Sequence, residues 1–235
     1  METENRKLER IAGLVIIAGS IASFTALSLD RTGTASETRA LFRELVAFGP
    51  GRELVHAVQM ICITGYAFGF SVLSMRLGLR RGTVLAGLIT FLFGIAMMFI
   101  ATVNDGFLSF AVANRFAEAP DADLEIARDL LRFVNLAVVY FGDIAFALMG
   151  AGTAFWSFGL ARQGRLGAAT ALVGLIGGVA TIGALAWQPV LDMGTLLGIV
   201  GGEFCFNLLA GILLLRGPAA TAEASGEAMR LSRAA

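Results

Sequence analysis

The chain has 235 residues, of which 57% are hydrophobic and only 15% are charged, and its mean hydropathy is +0.77. A soluble domain carries about 25% charged residues, so this composition excludes an ordinary water-soluble protein. The 18 basic and 18 acidic residues balance, and no run of basic residues is long enough to indicate a nucleic acid as partner.

Apolar stretches of about 19 or more residues dominate the sequence, and a helix of that length crosses roughly 30 Å of hydrocarbon. The six predicted spans are Ile11–Leu29, Leu54–Met75, Thr83–Val103, Phe133–Leu160, Gly167–Trp187 and Met193–Leu215. We therefore predict an all-α fold, a polytopic transmembrane bundle of six spanning helices in a lipid bilayer. Residues 1–217 are expected to form this membrane domain, and residues 218–235 a disordered cytoplasmic tail, because the tail has little apolar periodicity.

Basic residues precede the first span as they do in a signal peptide. Acidic residues are interleaved with them and no small-residue cleavage site follows, so we expect Ile11–Leu29 to be retained as a helix. With the N-terminus inside, eleven of the eighteen Lys and Arg residues lie on the cytoplasmic side. The pattern predicts a multi-pass protein of the cell membrane, the inner membrane in a bacterium, with both termini cytoplasmic.

The predicted external loops contain further helical patterns. The segment Ser36–Phe48 is amphipathic, which predicts a short helix lying in the membrane interface as a cap or lid. Leu41 and Leu45 on its apolar face are expected to be exposed. In the second external loop, Pro120 and Asp121 begin a helix that is expected to run into the fourth span as one long, partly protruding helix.

The predicted cytoplasmic connections Arg76–Gly82 and Arg162–Leu166 are short, so helices two and three, and helices four and five, are expected to be antiparallel neighbours. Gly-x-x-x-Gly pairs begin at Gly65, Gly174 and Gly198. In a bundle of spanning helices this spacing favours close helix packing over a ligand site, and the glycine runs lack the features of a phosphate loop.

Polar side chains inside the spans are the candidate functional residues. Asp143 and Glu203 lie about ten residues into their spans, roughly 15 Å from the external ends and near mid-membrane depth. An ionised carboxylate at that depth is costly unless it is paired, protonated or hydrated. The remaining candidates for binding a ligand or a proton are His56, Gln59, Asp105, Asn135 and Asn207.

We predict that these residues form an externally open polar pocket, with Asp143 and Glu203 at its floor and His56 nearer its mouth. The alternative is that the two carboxyl groups are protonated and bonded to neighbours such as Asn135 or Asn207, and hold the bundle together without a ligand.

Other kinds of site are less well supported. His56 is the only histidine, which excludes bis-histidine haem ligation within one chain, and its position favours a solvated or interfacial side chain. A metal site would require His56, Asp143 and Glu203 to converge, so we expect neither a metal nor a cofactor. Cys62 and Cys205 fall inside spans and are interpreted as packing residues. No nucleophile motif indicates an enzyme.

Three patches carry a resemblance: RKLERIAG at 6–13, SFGLARQGRLG at 157–167, and GEF at 202–204 with LLLRG at 213–217. They resemble a bacterial family of six-helix integral membrane proteins of unknown function. The resemblance implies a six-helix membrane fold and places Glu203 where that family tends to have an acidic residue in its last span. It implies no activity.

Two classes of function remain open from the sequence. The first is binding or transport of a small polar or cationic solute, or of protons, through the predicted pocket. The second is a non-enzymatic structural or regulatory subunit that docks another membrane protein or a second copy of the chain through its glycine faces and the Ser36–Phe48 helix.

Overall fold

The computed structural model describes residues 2–30, 33–187 and 193–217, and the predicted disordered tail lies outside these ranges. All regular secondary structure in these residues is helical. The helices are α1 (Glu2–Leu29), α2 (Thr38–Leu77), α3 (Gly82–Val103), α4 (Ser109–Phe116), α5 (Asp121–Leu160), α6 (Gly164–Trp187) and α7 (Met193–Arg216). A π-helical turn, Asn104–Leu108, joins α3 to α4.

Six helical segments in the described part of the chain are long and apolar enough to cross a membrane: α1, α2, α3 with its continuation through α4, α5, α6 and α7. Large apolar side chains on their outer surfaces, including Ile61, Phe93 and Phe133, are exposed. Such a surface is stable in contact with lipid, and a helix satisfies its backbone hydrogen bonds without water. The predicted all-α bundle with six spans is confirmed, and the protein is a multi-pass membrane protein.

The spanning helices form a closed ring in the order α1, α2, α3, α5, α6, α7 and back to α1, because each packs on the next. The predicted pairing of α2 with α3, and of α5 with α6, is confirmed. Gly78 and Gly164, with φ of 93° and 74°, provide the left-handed backbone that each of the two tight turns requires. We call the end with these turns the terminal face, and the opposite end, with the π-turn, the cavity face.

Aromatic side chains fill the centre of the ring near the terminal face. Phe70 stacks on Trp156 with ring centroids 5.0 Å apart and on Phe206 at 5.9 Å, and it lies 4.7 Å from Phe91. All four side chains are fully buried and come from four different helices. We call this group the aromatic core. Pairs of this geometry add stabilisation beyond the burial of their area.

Glycines allow the close helix contacts around this core. A Cβ at Gly69 would overlap the Ile16 side chain of α1, and a Cβ at Gly178 would overlap the backbone carbonyl of Gly150. The pairs beginning at Gly65 and Gly174 therefore pack helices together as predicted. The third pair differs, because a Cβ at Gly198 would meet nothing within 4 Å in the described part of the protein.

The prediction of a separate interfacial helix at Ser36–Phe48 is wrong. Glu37 caps α2 by accepting hydrogen bonds from the backbone N–H groups of Arg39 and Ala40, and the helix then runs unbroken to Leu77 with Pro50 inside it. Proline removes one backbone donor and normally interrupts a helix. Packing on both sides of Pro50 maintains the helix here.

The apolar face of this N-terminal part of α2 packs inside the protein and not on lipid. Phe42 is fully buried and Leu45 is 6% exposed, in a cluster with Ala113 of α4 and Leu131 of α5, and Leu41 packs against the same cluster. The expectation that Leu41 and Leu45 are exposed docking residues is therefore also wrong.

The predicted long helix through the fourth span is confirmed by α5, which runs for 40 residues. At 1.5 Å per residue it is roughly 60 Å long, about twice the thickness of the hydrocarbon layer. Its first turns extend past the ring and hold α4 and the start of α2. Of the two free cysteines, Cys62 packs in the core as expected, whereas Cys205 is exposed.

Candidate functional site

A cavity of about 370 Å³ occupies the centre of the ring on the cavity-face side of the aromatic core. Its walls come from α1, α2, α3 with the π-turn, α5 and α7, and its volume lies in the range of about 300–1,000 Å³ typical of small-molecule sites. Tyr66 and Met149 line it and also belong to the same packed cluster as Phe70 and Trp156. The cavity is therefore blocked towards the terminal face.

Most of the candidate residues converge on this cavity. The lining includes Asp143, Glu203, His56, Gln59, Asp105 and Asn207. Their role in binding stays a prediction, but four elements of the chain, α2, the π-turn, α5 and α7, bring them to one place.

Asn135 is the exception among the predicted residues. It is exposed and lines a different depression of about 250 Å³, between the start of α2 and α5. Eight residues separate it from Asp143, and eight residues rotate an α-helix by about 80° beyond two full turns. The two side chains therefore point in different directions, so Asn135, which the alternative interpretation named among the neighbours of the two carboxyl groups, is not placed to bond to Asp143.

The carboxyl groups nearest the aromatic core lie in apolar surroundings. Glu203 Oε1 is inaccessible to solvent and has no hydrogen-bond partner among the described residues. Asn207, one turn further along α7, is 8% exposed and lines the same wall. Asp143 lies next to Gly142, whose missing side chain leaves open space in the cavity. A buried carboxyl group without a partner requires a proton, a cation or water.

A hydroxyl pair adds polarity to the same wall. Tyr66 donates to Ser20 Oγ over 3.3 Å, and Ser20 donates to the backbone carbonyl of Ile16 over 2.8 Å. Both residues line the cavity. Sequence reasoning missed this pair because serine and tyrosine are common in spanning helices and give no signal until the helix neighbours are known.

Four ionisable side chains form what we call the charge cluster: Asp30, Arg52, His56 and Asp105. Arg52 Nη2 lies 2.6 Å from Asp105 Oδ1, and Arg52 Nε lies 3.6 Å from Asp30 Oδ1. His56 Nε2 lies 3.2 Å from Asp105 Oδ2. The side chains of Arg52 and His56 are only 6% and 3% exposed, whereas that of Asp105 is 35% exposed. The cluster joins the end of α1, α2 and the π-turn.

The π-turn determines the position of Asp105. Ser109 donates to the backbone carbonyl of Asp105, and Gly106 lies so close to His56 that a Cβ there would overlap the imidazole. Only glycine therefore allows this turn to pack on the histidine. π-Helical turns are rare and occur often at functional sites.

The expectation that His56 is solvated or interfacial is wrong. The residue is 2% exposed, and both ring nitrogens have hydrogen-bond partners. Arg52 and Asp30 were not among the candidates. Arg52 could have been found, because it lies four residues before His56 and hence on the same helix face, whereas Asp30 becomes a neighbour only when α1 closes the ring against α2.

Donor atoms of Asp30, His56 and Asp105 all lie within 4.8 Å of one another, close enough to share a metal ion. Arg52, however, contacts both carboxylates, and its positive charge would oppose a divalent cation. We therefore interpret the cluster as a charge-balanced group and not as a metal centre. The set considered from the sequence, His56 with Asp143 and Glu203, is not brought within metal-sharing distance in the described structure.

A second buried arginine closes the terminal face. Arg76 donates to the backbone carbonyl of Leu213 over 2.8 Å and lies 3.6 Å from Glu9, which pairs with Arg6 at 2.6 Å. These contacts tie α1, α2 and α7 together beyond the aromatic core. The ring is thus sealed at one end and hollow at the other.

No family model matches the chain, and no curated protein and no solved structure matches it either. The fold and the site define its class on their own: a multi-pass α-helical membrane protein with a carboxylate-bearing cavity in one half of the bundle.

Proposed function

We propose that the protein binds a small cationic solute with an apolar body in this cavity and carries it across the membrane. One observation carries the proposal: three carboxyl groups line the cavity, from Asp105, Asp143 and Glu203, and no lysine or arginine does so in the described chain. The bias of basic residues supports an orientation in a cell membrane with cytoplasmic termini, and the cavity then faces the outside.

The charge requirement is strongest at the inner end of the cavity. Asp105 already has Arg52 as a counter-ion, but Asp143 and Glu203 make no ion pair among the described residues. An ionised carboxylate at membrane depth costs several kcal/mol when it is unpaired. A bound cation removes that cost, so the site favours positively charged ligands over neutral ones of the same shape.

The remaining lining favours an apolar ligand body. Most of the other wall residues are aliphatic or aromatic, and the rings of Phe24 and Phe204 lie 5.2 Å apart, where α1 meets α7. Aromatic faces attract organic cations, most strongly where water is excluded. An alkylated or aryl ammonium compound combines the two features that the walls recognise.

The test uses phenyltrimethylammonium as a labelled probe and the purified protein in lipid nanodiscs. We expect saturable binding, and a loss of affinity of about tenfold or more in Asp143→Asn and in Glu203→Gln, since each removes one charge contact worth about 1.4 kcal/mol or more. Asp129→Asn is the matched control, because Asp129 lies on the same helix with a side chain that is 76% exposed. Unsaturable binding by the native protein, or unchanged affinity in both cavity variants, would contradict the proposal.

Transport is separable from binding. If the site lies on the transport path, uptake of the probe into proteoliposomes should fall in Asp143→Asn and Glu203→Gln and stay unchanged in Asp129→Asn. If the protein binds the probe but the proteoliposomes do not take it up, the protein is a receptor for the probe and not its transporter.

The alternative of a non-enzymatic subunit has lost two of its proposed docking residues, because Leu41 and Leu45 pack within the protein, but the glycine face at Gly198 is still open to a partner. Native mass spectrometry of the gently solubilised protein compares the two proposals directly. A retained small molecule supports the binding protein, and a retained second polypeptide supports the subunit.

A further inference from the structure

The hydrogen bonds of His56 determine how many protons its ring carries. Nδ1 lies 2.8 Å from the backbone carbonyl of Arg52, which can only accept, so Nδ1 is protonated. Nε2 faces Asp105 Oδ2 at 3.2 Å, and the guanidinium of Arg52, 2.6 Å from the other carboxylate oxygen, favours the ionised form of Asp105. An ionised carboxylate only accepts, so Nε2 is protonated as well. His56 is therefore an imidazolium.

The charge of the cluster leads to the same assignment. Counted over these four side chains alone, a protonated His56 and Arg52 carry two positive charges, and the carboxylates of Asp30 and Asp105 carry two negative charges. Without that proton the cluster has a net negative charge, and two acceptors, Nε2 and Oδ2, face each other. The side chains of Arg52, Asp30 and His56 are largely buried, and an unbalanced charge is costly in such surroundings. The protonated state of His56 is therefore favoured.

The ionisable groups around His56 can be named for each described element that packs near it. On α4 the single ionisable residue, Arg115, is exposed and lies over the ring of Phe116, and α3 has no ionisable residue. Among the described residues, the groups that contact the histidine's cluster or share its cavity are Asp30 at the end of α1, Arg52 on α2, Asp105 on the π-turn, Asp143 on α5 and Glu203 on α7.

We propose that a cationic ligand and the proton on His56 exchange at Asp105, so that the protein binds a cation at the cost of releasing a proton. Asp105 and His56 both line the cavity, and Asp105 is the most exposed carboxylate of the cluster. A cation that approaches Asp105 supplies the positive charge that the imidazolium supplied, and His56 then loses its proton to water. One positive charge enters as one leaves, so the net charge of the cluster does not change. This inference rests on the proposed function and names the proton as the second transported ion.

The first experiment observes the histidine directly. His56 is the only histidine in the sequence, so ¹⁵N-histidine labelling of a protein purified with a histidine-free tag gives the signals of one imidazole. At neutral pH we expect both ring nitrogens to be protonated in the native protein and in Asp129→Asn. Asp105→Asn should convert the ring to its neutral form. A neutral ring in the native protein at neutral pH would overturn the proposal.

The second experiment adds phenyltrimethylammonium. Saturation of the native protein should release about one proton per bound cation into a weakly buffered solution, and should convert the labelled ring to its neutral form. Because the two ligands compete, the affinity for the probe should rise with pH, by up to about tenfold per pH unit across the titration of His56. In His56→Gln the affinity for the probe should vary less with pH than in the native protein, and binding should release about one proton fewer per cation.

The outcomes separate the two proposals. Saturable binding that leaves the imidazolium unchanged and releases no proton overturns the exchange and leaves the proposed function standing. Failure of the native protein to bind the probe overturns both, although the imidazolium seen without the probe would still establish the protonated state. Equal proton release by His56→Gln would also overturn the exchange, because the proton would then come from another group.

Discussion

The two halves of the bundle are built from the same helices but carry opposite kinds of side chain. Near the terminal face, α2, α5 and α7 contribute Phe70, Trp156 and Phe206 to a packed core. Nearer the cavity face, α5 and α7 instead present Asp143 and Glu203 to an open space, and Glu203 lies within one turn of Phe206. The comparison teaches that packing energy in one half allows the other half to keep costly polar groups for function.

The largest expected effect on stability comes from truncating a side chain of the aromatic core. Trp156→Ala removes a side chain that is 0% exposed and touches two other rings of the aromatic core. We expect a loss of about 3–5 kcal/mol in the free energy of unfolding, because the truncation leaves a void that neighbouring helices cannot fill. Unfolding in mixed detergent micelles measures it. The matched control is Phe158→Ala on the same helix, since Phe158 is 59% exposed. An equal loss in both variants would show that the core is not the stabilising half.

A second prediction concerns the helix contact behind the core. Gly178→Val places a side chain against the backbone of Gly150, so α5 and α6 must separate, at a cost of about 1–3 kcal/mol. Its neighbour Gly177 has open space at the same position, and Gly177→Val should be nearly neutral. Thermal unfolding of the two variants decides between them. A larger loss for Gly177→Val would contradict the packing described for these helices.

In the cavity half we expect a substitution that stabilises the protein instead of destabilising it. Glu203→Leu replaces a carboxyl group that has no hydrogen-bond partner in the described structure by an apolar group of similar volume. We expect a gain of about 1–2 kcal/mol in the free energy of unfolding, because the desolvation cost of the carboxyl disappears. Binding of phenyltrimethylammonium should be lost in the same variant. Glu203→Gln keeps a polar group and should lose binding without this gain. A destabilised Glu203→Leu would show that the carboxyl group has a structural partner.

The sequence predicted those features that depend on local chemistry along one helix. Hydropathy predicted the six spans, and the absence of a break after Asp121 predicted the continuous α5. The amphipathic pattern of Ser36–Phe48 misled the prediction for α2, because its apolar face, with Phe42 and Leu45, packs within the protein and the helix continues through Pro50. The helix propensity of single residues predicts helix boundaries poorly where such tertiary packing is present.

The site was predictable in part for the same reason. Carboxyl and amide groups inside apolar spans are costly wherever they lie, so Asp143, Glu203 and Asn207 could be selected from the sequence alone. His56 and Asp105 were also selected, but their convergence with Asp30 and Arg52 could not be predicted, because it depends on the ring order of the helices and on the π-turn. Helix order and local helix type are tertiary properties that hydropathy does not encode.

The smallest expected effect lies outside the bundle, where α2 contacts the connection between α4 and α5. Arg43 and Glu118 form a two-bonded ion pair with both distances at 3.2 Å, but their side chains are 58% and 77% exposed. Such pairs contribute little and are screened by salt. One turn earlier, Arg39 is 23% exposed and donates to the backbone carbonyl of Ala119 over 2.8 Å as well as to Asp121.

We therefore expect Arg43→Gln to lower the thermal midpoint less than Arg39→Gln, and to have no effect at high salt. Hydrogen bonding to Arg43, together with its charge, holds the pKa of Glu118 below its ordinary value. A lowered pKa in the folded state means that the contribution of this pair is fully present above the ordinary carboxyl pKa and is lost as the pH falls through the lowered value. The difference between Arg43→Gln and the native protein should accordingly vanish in acid. Thermal scans in detergent at neutral and acidic pH measure this, and a difference that persists in acid would mean that Arg43 acts through packing and not through its charge.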